Sequence, residues 1–486
     1  MPFPACRALG YHRETLQVNL AKILAAAAAA GAPALASAAS LNGADLSIIW
    51  ALPFAGILLS IALCPLIVPH FWHNHFGKVA VFWGLCCVVP LYLSYEASVA
   101  TGAVAHAIIG DYIPFLLFVG ALFVAAGGIH IRGSFVGKPI VNAGFLLVGA
   151  FFANIMGTTG AAMLLIRPLI AANEGRHYKM HTFVFFIFIV ANIGGCLTPL
   201  GDPPLFMGFL RGVEFFWTTW HLLPPLLLVL AILLAVYLVI DTCCYKKELR
   251  EGLFVQNTDQ TTKFAIDGGI NFLWLLGIVC TVLMSGIWNP GVSFNVLSVE
   301  LSLQGITRDA LFVVFAILSL ATTPKSAREA NQFNFAPILE VAKLFFGIFL
   351  CIVPVLEMLR AGEHGAFAPL VAMVTNEAGE FNNQMFFWLT GSLSSVLDNT
   401  PTYLAFFNLA GGDAATLMTV HSHTLMAVSM GAVFMGAVTY IGNAPNFMVL
   451  SIAQERGIKM PSFLGYVAWS VCILFPTFFI ADMIFL

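Results

Sequence analysis

The 486-residue sequence predicts an all-α polytopic membrane protein with two inverted-topology repeats, each holding a re-entrant helical hairpin and a discontinuous transmembrane helix. Three observations carry this expectation. Hydrophobic residues make up 60% of the chain and charged residues 9%, too little polar surface for a soluble domain to cover itself. A short pattern occurs twice, 241 positions apart: Gly195-x-x-Thr198-x-x-Gly201-Asp202-x-Pro204-x-Phe206 and Gly436-x-x-Thr439-x-x-Gly442-Asn443-x-Pro445-x-Phe447. Finally, the basic residues collect on one side under a single topology, as Lys and Arg of short cytoplasmic loops do.

Taken from the N-terminus, residues 1–40 read as a secretory signal: Arg7, Arg13 and Lys22 precede an alanine-rich stretch and then Ala34-Leu35-Ala36. Apolar runs near the roughly 20 residues needed to cross a bilayer then place spans at about 47–69, 79–95, 112–131, 181–200, 220–244, 270–288, 309–323, 337–359, 422–441 and 463–486. Two further apolar regions, 141–172 and 384–410, carry a polar, helix-breaking cluster at their centre. These are Asn154 with Gly157-Thr158-Thr159-Gly160, and Ser394-Ser395 with Asp398-Asn399-Thr400-Pro401. Broken backbone is tolerated at membrane depth only where protein or a wet cavity surrounds it, so both regions are expected to be re-entrant hairpins with the polar cluster at the tip.

If both hairpins return to the side they entered from, Lys78, Arg132, Lys138, Arg176, Lys179, Lys246, Lys247, Arg250, Lys263, Lys325, Arg328, Arg456 and Lys459 share one face, the cytoplasmic one. The other face keeps Glu96, Asp111, Asp309 and Glu363 with few basic residues beyond Arg211, Arg308 and Arg360. The two copies of the pattern then run in opposite directions, the plan of many secondary transporters. The chain divides into the signal-like segment (1–40), N-terminal scaffold helices (45–140), the first hairpin and broken helix (141–212), linking and scaffold helices (213–360), and the second hairpin, broken helix and C-terminal helix (361–486).

The breaks indicate the site. Prolines in Thr198-Pro199-Leu200-Gly201-Asp202-Pro203-Pro204 remove N–H donors and interrupt the helical ladder. Oxygens of Thr198, Thr439 and their neighbours, including Gly201 and Gly442, suit a hard cation such as Na⁺. The N-terminal ends of the following half-helices suit an anion. Asp202 and Asp398 are carboxylates near the bilayer centre, where such groups commonly line ion or proton paths; each could also cap its half-helix. The repeats disagree at these positions, with Asn443 opposite Asp202 and Gly157 opposite Asp398. Arg167 could hold a substrate carboxylate, or snorkel to the interface or pair with Glu174. Neither a zinc site nor a nucleophile elbow has the required spacing. No cofactor, nucleic acid or enzymatic centre is expected.

The stretch from Phe152 to Leu210, with ANIMGTTG, Arg167-Pro168 and NIGGCLTPLGDPPLFMGFL, together with SSVLDNTPTY and TYIGNAPN, resembles the NhaD-type sodium/proton antiporters and the related citrate transporters of the ion transporter superfamily. The resemblance implies an elevator-like mechanism and a homodimer. It also implies that the hairpin tips bind Na⁺ and substrate through Asn154, Thr158 and Thr159 in the first repeat and Asp398, Asn399 and Thr400 in the second. The first tip reads Gly-Thr-Thr where carboxylate carriers typically show Ser-Asn-Thr, which counts against a carboxylate substrate. The expectation is a Na⁺/H⁺ antiporter of the bacterial inner membrane; the alternatives are a cation-coupled carrier of citrate or another carboxylate, and an intramembrane enzyme or receptor.

Overall fold

The computed structural model describes residues 41–254, 264–376 and 379–486; the signal-like stretch 1–40 and Lys263 lie outside the described residues. The protein is an all-α polytopic membrane protein. Among the described residues, eight helices are long and apolar enough to cross a bilayer. The peripheral helices α1 (Leu52–Ile67) and α2 (Pro69–Ser94) turn Leu59, Leu63, Phe82, Leu85 and Leu93 outward, whereas α6 (Met180–Ile189) is buried along nearly all of its length. With lipid outside and protein inside, the apolar surface of the outer helices is the expected one.

One difference from the sequence expectation lies in residues 97–112. They are helical: α3 (Ala97–Ala105) passes through a π turn (His106–Tyr112) into α4 (Ile113–Ala126), making one continuous apolar segment. Gly102, His106, Gly110 and Asp111 lower the hydropathy enough to mimic a loop, but Asp111 is paired with Arg211 at 2.8 Å and so can sit within the bundle.

Helix α5 (Pro139–Ala172) is a hairpin. Gly157 has φ 78° and ψ 156°, a conformation open to glycine and costly for other residues, and the chain reverses there. The arms meet on both sides of the turn: a Cβ on Gly149 would lie 3.2 Å from the Leu165 side chain, and Asn142 and Asn173 exchange amide hydrogen bonds of 2.9 and 2.8 Å at the base. Helices α9 (Asn271–Ile287), α10 (Leu303–Thr322), α11 (Lys325–Ala330), α12 (Ala336–Arg360) and α13 (Ala368–Val374) precede the second hairpin and α16 (Ala414–Thr419) follows it. The second hairpin is α14 (Asn383–Val396) and α15 (Asn399–Leu409), with Leu397 and Asp398 at its tip and the rings of Phe386 and Phe406 packed edge to face between the arms.

Each hairpin is followed by a broken helix. After α6 the chain runs irregularly, with one 3₁₀ turn at Ile193–Gly195, into α7 (Pro203–Leu210); after α17 (Ser422–Met435) it does the same into α18 (Ala444–Glu455). The fastening of hairpin to break is made twice by residues at the same offset. Thr198 Oγ1 donates to Asn154 O at 2.6 Å, and Thr439 Oγ1 to Ser395 O at 2.5 Å. The paired glycines are explained by close approach: a Cβ on Gly201 would lie 2.0 Å from Gly195 O, and one on Gly442 2.7 Å from Gly436 O.

Contacts between loops sort into the two faces that the basic residues define. On one face Arg132 pairs with Asp267 at 2.6 Å, His130 Nδ1 meets Asn331 Oδ1 at 2.9 Å and Arg167 Nη2 donates to Gln332 Oε1 at 3.4 Å. On the other, Trp217 Nε1 donates to Met418 O at 3.2 Å and Arg360 Nε to Asn408 Oδ1 at 2.7 Å. None of these contacts joins loops assigned to opposite faces.

The base of the first hairpin is anchored by a buried ionic network on α8 (Trp217–Glu251). Arg176 donates to Glu248, to Asp241 Oδ1 at 2.6 Å and to Gly137 O at 2.6 Å, with both carboxylates fully buried. Asp241 also accepts from Tyr237 OH at 2.9 Å and Asn142 Nδ2 at 3.2 Å, and lies 2.9 Å from His181 Nε2. Removing one member of such a network strands a buried charge. Arg176→Ala is therefore expected to cost about 3–5 kcal/mol and sharply lower the yield of folded protein. Arg132→Ala, at a pair whose arginine is half-exposed and screened by solvent, should cost far less. Thermal unfolding of the purified variants in detergent compares the two.

Candidate functional site

Asp202 occupies the N-cap position of α7, with extended backbone (φ −141°, ψ 139°), yet its side chain makes no capping bond. The reason is in the next two residues. Pro203 and Pro204 take the first two helical positions without N–H groups, and the next donor, Leu205 N–H, goes to the backbone carbonyl of Asp202 at 3.0 Å. The carboxylate is thus free of its own helix and reaches across the bundle. It is fully buried. Asn399 Nδ2 donates to Oδ2 at 2.8 Å, while Thr158 Oγ1 and Asn443 Nδ2 each approach Oδ1 at 3.4 Å.

Three of the four segments expected to form the site converge on this one carboxylate: the tips of both hairpins, through Thr158 and Asn399, and the second break, through Asn443. The fourth is its own. Thr158 is held there because its N–H donates to Gly201 O at 2.8 Å, a bond that the reversal at Gly157 makes reachable. Thr400 Oγ1 lies 3.4 Å from Asn399 Oδ1, which turns the Asn399 amide nitrogen toward Asp202. Among the described residues, no Lys, Arg or His balances Asp202. A buried carboxylate facing only neutral donors is costly, and a proton or a small cation relieves that cost.

The other candidates have different surroundings. Asp398 is half-buried and caps α15, accepting from Thr400 N–H at 3.0 Å, so its oxygens serve the helix end. Asn154 clasps the break, donating to Ala150 O at 2.9 Å and Gly194 O at 2.6 Å and accepting from Leu197 N–H at 2.8 Å. Thr198 Oγ1 is engaged in the fastening bond, and its carbonyl accepts from Gly201 N–H at 2.9 Å. Thr439 Oγ1 donates to Ser395 O and also accepts from Gly442 N–H at 3.1 Å, while the Thr439 carbonyl accepts from Asn446 Nδ2 at 2.8 Å. Oxygens expected to face an ion thus hold the breaks closed. Thr159 is half-buried beside the tip, and Gly442 packs against the second break. Arg167 lies nine residues beyond Thr158, about 13 Å along the helix, and donates to Gln332 rather than to Glu174 or the cluster.

Two residues outside the sequence-based set belong to the cluster. Asn192 and Asn446 are fully buried and joined by a bond of 2.6 Å from Asn192 Nδ2 to Asn446 Oδ1. The duplication itself carries a signal for them, since their counterparts at the repeat offset are the apolar Val433 and Leu205.

Residues 43–486 match the family described as "Putative citrate transport". The chain belongs to this family. A 46 kDa membrane protein of Mycobacterium leprae is 22% identical over 319 residues, covering 64% of this chain and 69% of the relative. An uncharacterized transporter of Mycobacterium bovis and one of Mycobacterium tuberculosis are each 22% identical over 328 residues, covering 66% of this chain and 71% of the relatives. The family and the relatives make this chain a multi-pass membrane transporter, and the cluster around Asp202 is its candidate site.

The two aspartates should respond with opposite sign. At alkaline pH without Na⁺, Asp202→Asn removes an unbalanced buried charge and should raise the melting temperature. Asp398→Ala removes a helix cap and should lower stability by about 1 kcal/mol. Thermal unfolding in detergent reads both; a fall in both variants would mean that Asp202 has a structural role.

Proposed function

We propose that the chain is a Na⁺/H⁺ antiporter in which Asp202 binds Na⁺ and H⁺ alternately. The observation that carries this reading is the fully buried Asp202 carboxylate faced by Thr158, Asn399 and Asn443, all neutral donors. Such a group must be neutralised to stay buried. One positive charge at a time does so, and exclusive occupancy by Na⁺ or H⁺ is the elementary requirement of exchange. Both hairpin tips contact the same carboxylate, so displacement of the assembly could expose it to either side in turn, the elevator-like alternating access that the resemblance implies. The face rich in Arg132, Arg176, Lys246 and Lys247 would be cytoplasmic, in a bacterial inner membrane. A homodimer is part of the same reading.

A second reading, cation-coupled carriage of citrate or a related carboxylate, is favoured by the family description. It would place the anion at the N-terminal ends of the half-helices α7, α15 and α18, with Asp202 holding the coupling cation. Against it, no basic side chain among the described residues contacts the cluster, and an anion there would meet the Asp202 charge.

Everted vesicles lacking other antiporters separate the two. Adding Na⁺ or Li⁺ should collapse an imposed ΔpH, and Asp202→Asn should abolish the collapse with expression retained. Asp398→Asn should reduce it and leave it measurable. Accumulation of labelled citrate with an undisturbed ΔpH would overturn the exchange reading in favour of the second.

A further inference from the structure

Asn443 Nδ2 has two hydrogens and three acceptors: Asn192 Oδ1 at 3.1 Å, Ala191 O at 3.3 Å and Asp202 Oδ1 at 3.4 Å. All three distances exceed the usual 2.9–3.0 Å optimum for N–H···O, so the donor is shared rather than committed. Asn192 in turn donates through Nδ2 to Asn446 Oδ1 at 2.6 Å and to Ile187 O at 2.8 Å. Asn446 donates to Gly436 O and Thr439 O, each at 2.8 Å, two carbonyls of the opposite break. An unbroken chain of buried amides therefore runs from the Asp202 carboxylate through Asn443, Asn192 and Asn446 to the backbone of the second repeat's break.

This chain is made once, whereas the threonine fastening of hairpin to break is made twice. Val433 stands where Asn192 would have its counterpart, and Leu205 where Asn446 would. Both are buried. The other repeat builds its break with an apolar residue at each of these positions, so the bond between Asn192 and Asn446 adds something that a break alone does not require.

We infer that Asn192 and Asn446 are positioning residues for the Asp202 ion site, coupling the charge of that carboxylate to the broken helix of the opposite repeat. The inference rests on the reading that Asp202 binds a cation. While Asp202 is ionised it draws the shared Asn443 hydrogens. When a cation neutralises it, they pass to Asn192 and Ala191, and Asn192, held by its own two donations, transmits the change to Asn446 and the carbonyls that Asn446 holds. Both broken helices then respond to one binding event.

The test exchanges each amide for the residue that the other repeat uses. Asn192→Val and Asn446→Leu, singly, each leave a buried amide without its partner and should lower thermal stability; the double variant removes the pair and should regain the part that the stranded amide costs, while the carbonyls of Ile187, Gly436 and Thr439 stay unpaired. If the pair positions the site, the recovered double variant should still show an apparent KM for Na⁺ raised about ten-fold, in the range of coupling between linked sites, with kcat much less affected. A double variant with wild-type stability and wild-type Na⁺ dependence would overturn the inference. Should the double variant not recover, Asn446→Leu assayed at low temperature, where it is folded, decides: a wild-type KM overturns the inference and a raised one supports it. Asp202→Asn run in parallel distinguishes the two levels. If it retains the wild-type Na⁺ response, the Asp202 reading itself fails; if it loses the response while the double variant keeps it, only the positioning role fails.

Discussion

A backbone that breaks at membrane depth must find protein partners for every N–H and C=O that the break releases, because lipid offers none. Most of the polar architecture described above follows from that constraint. Thr198 and Thr439 spend their hydroxyls on hairpin carbonyls, Asn154 clasps Gly194 and Leu197 of the first break, and Asn446 holds two carbonyls of the second. Thr198, Thr439 and Asn154 look like ion ligands when read in sequence, since they are oxygens and amides beside helix breaks. In the folded protein most of them are consumed in making an irregular backbone possible.

Among the groups at the breaks and hairpin tips, the Asp202 carboxylate is the one left free of its own helix. Asp202 escapes because the Pro203-Pro204 pair removes the donors that an aspartate at that position would otherwise cap. Asp398 is followed by Asn399 and Thr400, which keep their N–H groups, and it caps its helix. Two aspartates equally plausible by residue type are thus separated by the hydrogens of their neighbours. The contrast leaves the Asp202 carboxylate facing neutral donors from both repeats. Cations near the two ends of the first broken helix are engaged elsewhere: Arg176 on Asp241 and Glu248, Lys179 on the carbonyls of Asn173 and Glu174, and Arg211 on Asp111.

Much of this was legible from residues alone. The hydropathy runs located most of the membrane helices, and the two helix-breaking clusters located both hairpin tips, at Gly157 and Asp398. The loop charges sorted the chain into two faces that the contacts of Arg132, Arg360 and Trp217 respect. The helix through residues 97–112 was not legible, because its glycines and Asp111 resemble a loop until Arg211 is seen beside them. Asn192 and Asn446 escaped for a different reason. A buried amide announces no partner in sequence, and these two lie 254 positions apart.

The amino-acid sequence by itself determined that the chain is a membrane protein, that it is duplicated, and where its helices must break, since these depend on hydropathy, repeated residues and the missing N–H groups of proline, all of them local properties. Only the tertiary structure decided which polar groups are left free of the broken backbone. That choice depends on which donors and acceptors have already been taken by backbone from the other repeat, and such pairing exists only once the two halves are packed together.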